Sequence, residues 1–228
     1  MPEFRLRRGK DGPWCSRTIE SFGFRECAAA TRTPIGPEGR TCCITVSEVL
    51  ADPKLEGHSV RRIVYTAEAI SARVRQLGRE ITDYYREGDL LVLGLLKGSF
   101  IFVSDLVRNV ERPLQVDFLV VSSYGSETVS SGNVRLVYDP ETVLEGKHIL
   151  LVEDIVDSGR TLSKVIEVLN ERHPASIEIC ALLDKHISTY LKYPPKFIGF
   201  EAPHEFLVGY GLDHAENFRH LPYIASLQ

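Results

Sequence analysis

Three carboxylates lie close together in one stretch of the chain, and their spacing suits the handling of a sugar and a phosphate. Glu153 and Asp154 follow an apolar run that is typical of a strand buried on both faces. Asp157 comes shortly afterwards and opens a small turn that leads into a helix-like stretch. Acids at the end of a buried strand are costly unless hydroxyl groups, a metal ion or cations meet them, and a ribose diol with Mg²⁺ would do so. Taken singly, the same acids could equally be a helix cap and solvated side chains.

The turn after this strand has the composition of an anion-binding loop. It consists of Asp157, Ser158, Gly159, Arg160 and Thr161. The first turn of a helix leaves backbone N–H groups unpaired and carries the positive end of the helix dipole, so an anion is well accommodated there. Gly159 permits close approach of the backbone, and Ser158 and Thr161 add hydroxyl donors. The stretch lacks the spacing of a Walker loop and of the G-x-G-x-x-G fingerprint, so it predicts a phosphate-binding loop of another kind.

Composition places the chain among ordinary globular proteins. Its 228 residues are 43% hydrophobic and 25% charged, which favours one core or two. A formal net charge of −4 gives no general attraction to nucleic acid or to an anionic membrane. No apolar run approaches the ~18 residues needed to span a bilayer. The five cysteines show no zinc-site spacing, so we expect free thiols in a reducing compartment and a cytoplasmic protein.

Residues 1–57 differ from the rest of the chain. Gly, Pro, Arg and Thr are scattered through them without apolar periodicity, so we expect a disordered or loosely ordered extension before a domain at 58–228. Arg5, Arg7 and Arg8 resemble an organelle transit peptide, but the acids among them disfavour that reading. An extension without function, or a start codon placed too early, is therefore favoured over a transit peptide.

From about residue 58 onward, strand-like and helix-like segments alternate. Ile70, Val74, Leu77, Ile81 and Tyr84 recur at helical spacing after the predicted cap Thr66. A second helix is predicted from Ser99 to about Asn109, and a third follows the phosphate loop. Besides the signature strand, the predicted strands are 89–96, 114–122, 134–138, 176–183, 197–200 and 206–210. This order predicts an α/β fold with a doubly wound, mostly parallel sheet, whose ligands lie beyond the carboxyl ends of the strands.

Four further segments carry candidate chemistry, although each has an ordinary reading by itself. Lys97 and Gly98 follow a strand and open a helix, as an anion site or a surface turn would. The small and polar residues 122–132 read as a flexible loop. Lys185 follows a strand, where lysines are usually solvated, and an aromatic such as Phe206 at the start of a strand is more often part of a core.

Together, however, these segments resemble one family. The run from Ile149 to Leu162 is similar to the donor-binding signature of type I phosphoribosyltransferases, and its form Val-Glu-Asp-Ile-Val-Asp-Ser-Gly-Arg-Thr looks like the hypoxanthine-guanine branch. The resemblance covers roughly residues 60–225. It implies the doubly wound sheet with a small hood built from the terminal parts of the core.

The resemblance also implies how 5-phosphoribosyl 1-pyrophosphate is bound. Its ribose and 5′-phosphate would contact Glu153, Asp154, Asp157, Ser158, Gly159, Arg160 and Thr161. Its pyrophosphate would contact Lys97, Gly98 and Arg219, with a cis peptide bond between Leu96 and Lys97. Ser123 and Tyr124 would be the most specific part of a lid that excludes water. The implied cofactor is Mg²⁺, with Glu153, Asp154 and Asp213 as its residues.

For the acceptor, the resemblance implies a purine with an oxygen at position 6. Lys185 would donate to that oxygen, Phe206 would stack on the ring, the Leu207 backbone would meet the base edge, and Asp213 would lie nearby. Asp157 would be the catalytic base at N7. The expected enzyme serves purine salvage: it transfers phosphoribose to N9 of hypoxanthine or guanine and yields IMP or GMP and pyrophosphate.

Several alternatives stay open after this reading. A nucleotide-sensing regulator that binds RNA or DNA could keep the same fold, although the core lacks a basic face. An orotate or adenine transferase is disfavoured by Lys185 together with Phe206. The sequence leaves undecided the preference among hypoxanthine, guanine and xanthine, and whether the expected homo-oligomer is a dimer or a tetramer.

Overall fold

A computed structural model of the chain describes residues 55, 60–123, 134–192 and 194–227. All of them lie in the compact unit that spans 44–228. Apart from Leu55, the predicted extension 1–57 lies outside the described residues, so its character stays a prediction. Leu55 itself is buried in a cluster with Val208 and Phe218.

Strands and helices alternate as predicted in much of the described chain, except that three strands follow one another between residues 115 and 156. The strands are β1 (Val60–Tyr65), β2 (Leu90–Leu96), β3 (Gln115–Ser123), β4 (Val134–Tyr138), β5 (His148–Val156), β6 (Ser176–Asp184), β7 (Phe197–Glu201), β8 (Leu207–Val208) and β9 (Ile224–Leu227). The helices are α1 (Ala67–Tyr84), α2 (Phe100–Val107) and α3 (Arg160–Asn170). None of these helices is both long and apolar enough to cross a membrane.

Six of the strands form the main sheet, in the order β4-β3-β2-β5-β6-β7. β2, β3, β5, β6 and β7 run parallel to one another, and only β4 is antiparallel to its neighbour. This confirms the predicted mostly parallel sheet. Because parallel strands end at the same edge, the loops after β2, β5 and β6 open on one side, where ligands bind in such sheets.

Helices cover both faces of this sheet, which is the doubly wound arrangement. Alternate residues of a strand point to opposite faces. Val92 therefore packs in the cluster that holds α1 and α2, whereas Leu91 and Leu93 pack in the cluster that holds α3. β5 alternates in the same way, with Leu150 in the first cluster and Leu151 in the second.

The first helix shows how local sequence specifies an element. Four of the five positions predicted at helical spacing are buried, namely Ile70, Val74, Leu77 and Ile81, whereas Tyr84 in the last turn is 43% exposed. Thr66 precedes the helix, and its Oγ1 accepts a hydrogen bond from the backbone N–H of Ala69 at 3.3 Å. Such a cap satisfies one of the N–H groups that the first turn leaves unpaired. The predicted helix and its predicted cap are thus confirmed.

A second sheet of three strands, β1-β9-β8, forms the hood that the resemblance implied. β9 pairs antiparallel with both β1 and β8, so the hood joins the two ends of the domain. The predicted strand 206–210 was too long, because only Leu207 and Val208 pair with β9, and Gly209 forms an isolated bridge with Leu212 instead. Gly209 has φ +98° and Tyr210 has φ +51°, and these left-handed torsions turn the backbone away from the sheet.

Candidate active site

Glu153 and Asp154 lie inside β5, whereas the sequence predicted that they follow the strand, so this prediction was wrong. β5 continues through Val156 because β6 pairs with it that far: Glu153 lies opposite Ala181 and Val156 opposite Asp184. Asp157 is therefore the first residue beyond the strand. The extension of β5 places Glu153 and Asp154 within the paired strand, whereas Asp157 directly follows it.

The two acids within β5 are held in surroundings that disfavour their charge. The Oε2 atom of Glu153 is buried and has no hydrogen-bond partner in the described part of the chain. Burial, with a smaller effect of the Asp154 carboxylate, raises the pKa of Glu153 well above its ordinary value. Burial also raises the pKa of Asp154, although the Ile155 N–H donates to its Oδ1 at 2.8 Å. An unpartnered buried oxygen indicates a place where a ligand group or ion completes the bonding.

The loop after β2 presses directly against Asp154. The peptide bond between Leu96 and Lys97 is cis, as the resemblance implied. A Cβ atom on Gly98 would lie 1.5 Å from Asp154 Oδ2, and a Cβ atom on Gly211 would lie 2.0 Å from the Gly98 carbonyl oxygen. Only glycine allows backbones to approach so closely. The predicted pyrophosphate loop, an acid of the signature and the C-terminal segment are therefore in direct contact.

The predicted phosphate loop opens α3 as expected. Gly159 precedes the helix with φ +78°, a torsion that side chains resist, and no side chain caps the helix. A loop after β6 packs on it: the Tyr190 N–H donates to the Ser158 carbonyl at 3.3 Å, and Arg160 Nη2 donates to the Tyr190 hydroxyl at 2.6 Å. Sequence reasoning did not assign Tyr190, because nothing local marks a tyrosine that packs on a loop 30 residues away.

The structure brings Lys185 and Asp157 together. The Lys185 Nζ lies 2.9 Å from Asp157 Oδ2, and the Lys185 N–H donates to the Val156 carbonyl at 3.0 Å. The two side chains leave neighbouring parallel strands at the same edge, so their separation is set by the sheet. An ammonium donor and a carboxylate acceptor thus lie side by side where β5 and β6 end.

Arg219 anchors the C-terminal segment. Its Nη1 donates to the Gly211 carbonyl at 2.8 Å, and its Nη2 lies 2.8 Å from Asp213 Oδ1. Its Nε is buried and has no hydrogen-bond partner among the described residues. Tyr210 ties the same segment to α2, because its hydroxyl donates to Asp105 Oδ2 at 2.7 Å.

Glu216 is a site residue that sequence reasoning missed. Its Oε1 lies 3.1 Å from Lys97 Nζ, and its Oε2 lies 3.3 Å from Arg219 Nη2. The Lys97 ammonium holds the pKa of the Glu216 carboxyl below its ordinary value, with a further contribution from Arg219. The contact with Lys97 spans 119 residues and has no local signal in the sequence.

Phe206 and Leu207 have the different exposures that their predicted roles need. The Phe206 side chain is 56% exposed, and its ring meets the His214 ring edge-on with centroids 5.3 Å apart. Leu207 is buried in β8, where its backbone is fixed by pairing opposite Ser226. An exposed aromatic ring is available for stacking in a way that a core phenylalanine is not.

The predicted lid is described only at its start. Ser123 is the last residue of β3. Tyr124 and the rest of the segment to 133 lie outside the described residues, so the lid stays a prediction.

The fold and the contacts above bring the predicted site residues together at one edge of a doubly wound sheet, and comparisons with known proteins show the family to which the chain belongs. The model of the phosphoribosyl transferase domain matches residues 62–215. The chain therefore belongs to the type I phosphoribosyltransferase family, in its hypoxanthine-guanine branch.

Relatives from distant organisms match over most of their own length. The hypoxanthine-guanine phosphoribosyltransferase of Dictyostelium discoideum is 47% identical over 172 residues, covering 74% of this chain and 96% of that protein. The enzyme of the same name from Bacillus subtilis is 44% identical over 171 residues, covering 75% and 95%. The crystal structure of a hypoxanthine phosphoribosyltransferase from Staphylococcus aureus superimposes with a TM-score of 0.71 at 39% identity, covering 74% and 92%. All three are named as phosphoribosyltransferases, and they give no support to the regulator alternative.

Proposed function

We propose that this protein transfers phosphoribose from 5-phosphoribosyl 1-pyrophosphate to N9 of hypoxanthine or guanine, releasing pyrophosphate. The observation that carries the proposal is the 2.9 Å contact between Lys185 Nζ and Asp157 Oδ2. O6 and N7 are neighbouring atoms on one edge of a 6-oxopurine. An ammonium beside a carboxylate matches that edge, because the first donates to O6 and the second accepts the proton of N7.

The same pair accounts for the choice of base. An ammonium has donors and no acceptor, so Lys185 favours an oxygen at position 6 over an amino group. The exposed ring of Phe206 offers a face on which the purine stacks. The backbone of Leu207, fixed in β8, is the group that we assign to the base edge.

The donor would lie along the carboxyl edge of the sheet. The backbone of Asp157–Thr161 at the start of α3 would hold its 5′-phosphate, since an anion is stabilised at a helix N-terminus. Ser158, Arg160 and Thr161 would add donors to that anion. Lys97, the backbone at Gly98, and Arg219 would hold the pyrophosphate, for which the planar fork of an arginine is well suited.

The acids at this edge fit Mg²⁺ bound together with the substrate. The described residues contain no group of three His, Cys, Asp or Glu side chains that could hold a metal by themselves. Mg²⁺ ordinarily takes one or two carboxylates and completes its shell with water and substrate oxygens. Glu153, with its unpartnered Oε2, and Asp154 would serve the ribose side, and Asp213 a second ion beside pyrophosphate. Bound Mg²⁺ would neutralise charge on the leaving pyrophosphate.

The residues of the site would position the two substrates, stabilise charge on the ribose and accept a proton from the base. Phosphate contacts at both ends of the donor would keep its C1 atom in line with N9 of the base. The carboxylates would stabilise positive charge that develops on the ribose. Asp157 would accept the N7 proton as the bond from N9 to C1 forms, and Lys185 would hold O6 meanwhile.

We further propose that the enzyme works in the cytoplasm as a homodimer or homotetramer. The absence of a membrane-crossing helix in the described residues is compatible with that location. The relation between the C-terminal region and oligomeric state has been addressed for a Trypanosoma cruzi relative whose structure is solved, with 35% identity and a TM-score of 0.70.

The proposal is tested by steady-state assays with purified protein. Hypoxanthine and guanine should each be consumed one for one with pyrophosphate release, and only when both the diphosphate donor and Mg²⁺ are present. Adenine should react at least about 100-fold more slowly, because Lys185 offers its amino group no acceptor. Adenine turnover equal to that of hypoxanthine, or no turnover of any 6-oxopurine, would contradict the proposal.

A further inference from the structure

One carboxylate stands between the two cations that we assign to pyrophosphate. Glu216 reaches Lys97 Nζ with Oε1 at 3.1 Å and Arg219 Nη2 with Oε2 at 3.3 Å. The backbone N–H of Glu216 donates to Asp213 Oδ2 at 2.9 Å, which holds its main chain in place. Its two carboxylate oxygens therefore contact the cations much as two oxygens of a phosphate would.

The hydrogen-bonding capacity of Arg219 decides whether an anion can bind beside Glu216. Nη2 has two N–H groups, and Asp213 at 2.8 Å and Glu216 at 3.3 Å are its partners. One N–H of Nη1 is taken by the Gly211 carbonyl, and Nε is buried. A bidentate contact with a phosphate needs two neighbouring outward donors. Since the longest of these contacts is the one to Glu216, that contact is the one a phosphate would replace.

We propose that Glu216 is a positioning residue that acts as an internal substitute for pyrophosphate. It occupies Lys97 and Arg219 in the unliganded site, and the pyrophosphate group of the donor displaces it. This inference rests on the proposed function, because it takes pyrophosphate as the ligand of those two cations.

The exposure of the ion pair between Lys97 and Glu216 favours its replacement by pyrophosphate. The side chains of Lys97 and Glu216 are each 66% exposed, so water and salt weaken their attraction. The carboxylate keeps the two cation heads near each other before the donor arrives. It also competes with pyrophosphate, so it weakens binding of the donor and assists departure of the product.

The first test is Glu216→Gln, which removes the charge and keeps the size of the side chain. Pyrophosphate with Mg²⁺ should bind the variant about three- to tenfold more tightly than the wild type by titration calorimetry, because two exposed ion pairs no longer compete. The KM for the donor should fall by a similar factor. Because pyrophosphate leaves the variant more slowly, its kcat should be equal to or lower than that of the wild type.

Two further variants separate direct pairing from a general effect of charge. Glu216→Asp keeps the charge but is one methylene too short to span both cations, so it should also bind pyrophosphate more tightly than the wild type. Glu167→Gln removes the same charge from an exposed pair with Lys164 on α3. It should change neither the dissociation constant of pyrophosphate nor the KM for the donor. Thermal unfolding of all three variants establishes that each is folded.

Weaker or unchanged pyrophosphate binding by Glu216→Gln overturns the inference. So does a Glu216→Asp variant that binds as the wild type does, because the effect would then come from charge alone. The proposed function fails by a different result, which is the lack of hypoxanthine turnover in the wild type. A wild type that turns over hypoxanthine while Glu216→Gln gains no affinity refutes only the role of Glu216.

Discussion

The strand-end loops and the C-terminal segment 206–221 build the site by different means. Asp157 and Lys185 directly follow β5 and β6, whose parallel pairing fixes their backbones. The C-terminal segment has a strand of only two residues, and left-handed torsions recur in it at Tyr210, Ala215, Glu216 and Phe218. Its charged side chains are placed by ion pairs, which a charged ligand can replace. We therefore expect the rigid strand pairing to serve the reacting centre and the exchangeable ion pairs to serve binding.

This difference predicts different kinetic outcomes in the two regions. A change at a strand end should lower the rate of the chemical step or abolish the site. A change in the C-terminal segment should alter the affinity for donor, pyrophosphate or base and leave the chemical step mostly intact.

The largest effect is expected for Asp157→Asn. Asparagine has nearly the same shape but cannot accept the N7 proton, so kcat should fall by about 10²–10⁴-fold. The dissociation constant of the donor should change little. Steady-state kinetics and calorimetry measure the two quantities. Asp139→Asn is the matched control, since Asp139 pairs with Arg172 instead, and it should keep wild-type kcat. A variant at 157 with normal turnover would remove Asp157 from the mechanism.

The next largest effect is expected for Gly98→Ala. The new methyl group would lie 1.5 Å from Asp154 Oδ2, so the loop, the acid or both must shift. A displacement of about 1 Å at a reacting centre costs about 10²-fold in kcat/KM. Gly146→Ala is the control: no atom lies within 4 Å of its added Cβ, and its φ of +72° costs only about 1 kcal/mol of stability. Equal kcat/KM in the two variants would show that the close approach to Asp154 is unimportant.

The smallest effect is expected in the C-terminal segment, for Phe206→Leu. Loss of aromatic stacking should raise the KM for hypoxanthine by about two- to tenfold and leave kcat nearly unchanged. Phe206→Tyr keeps the ring and should keep the KM. If the leucine variant instead lost kcat at constant KM, Phe206 would belong with the reacting centre, and the contrast between the two regions would fail.

The main sheet and its helices were predictable because their signals are local. The spacing of Ile70 and Val74 fixes the buried face of α1, and the unbroken apolar run of β2 indicates a strand buried on both sides. The hood was predictable only through the family resemblance. β1 and β9 are short, and they pair with each other across more than 150 positions of the chain, as Ile63 does with Ala225.

The features of the candidate site also divide into those with a local sequence signal and those without one. Motif residues such as Asp157, Lys185 and Arg219 were predicted as site residues from their types and their order in the sequence, and their roles stay predictions. The contacts of Glu216 with Lys97, of Tyr190 with Arg160 and of Gly98 with Asp154 were not predicted, since each joins segments that are far apart in the chain.

The sequence by itself thus determined the order of elements and the chemical groups available at the ends of the strands. The tertiary structure decided which of those groups touch. It extended β5 so that Glu153 and Asp154 lie within a paired strand, and it seated Glu216 on both cations of the predicted pyrophosphate site. The physical reason is that periodicity and turn chemistry act over a few residues, whereas strand register and close packing are set by the whole folded chain.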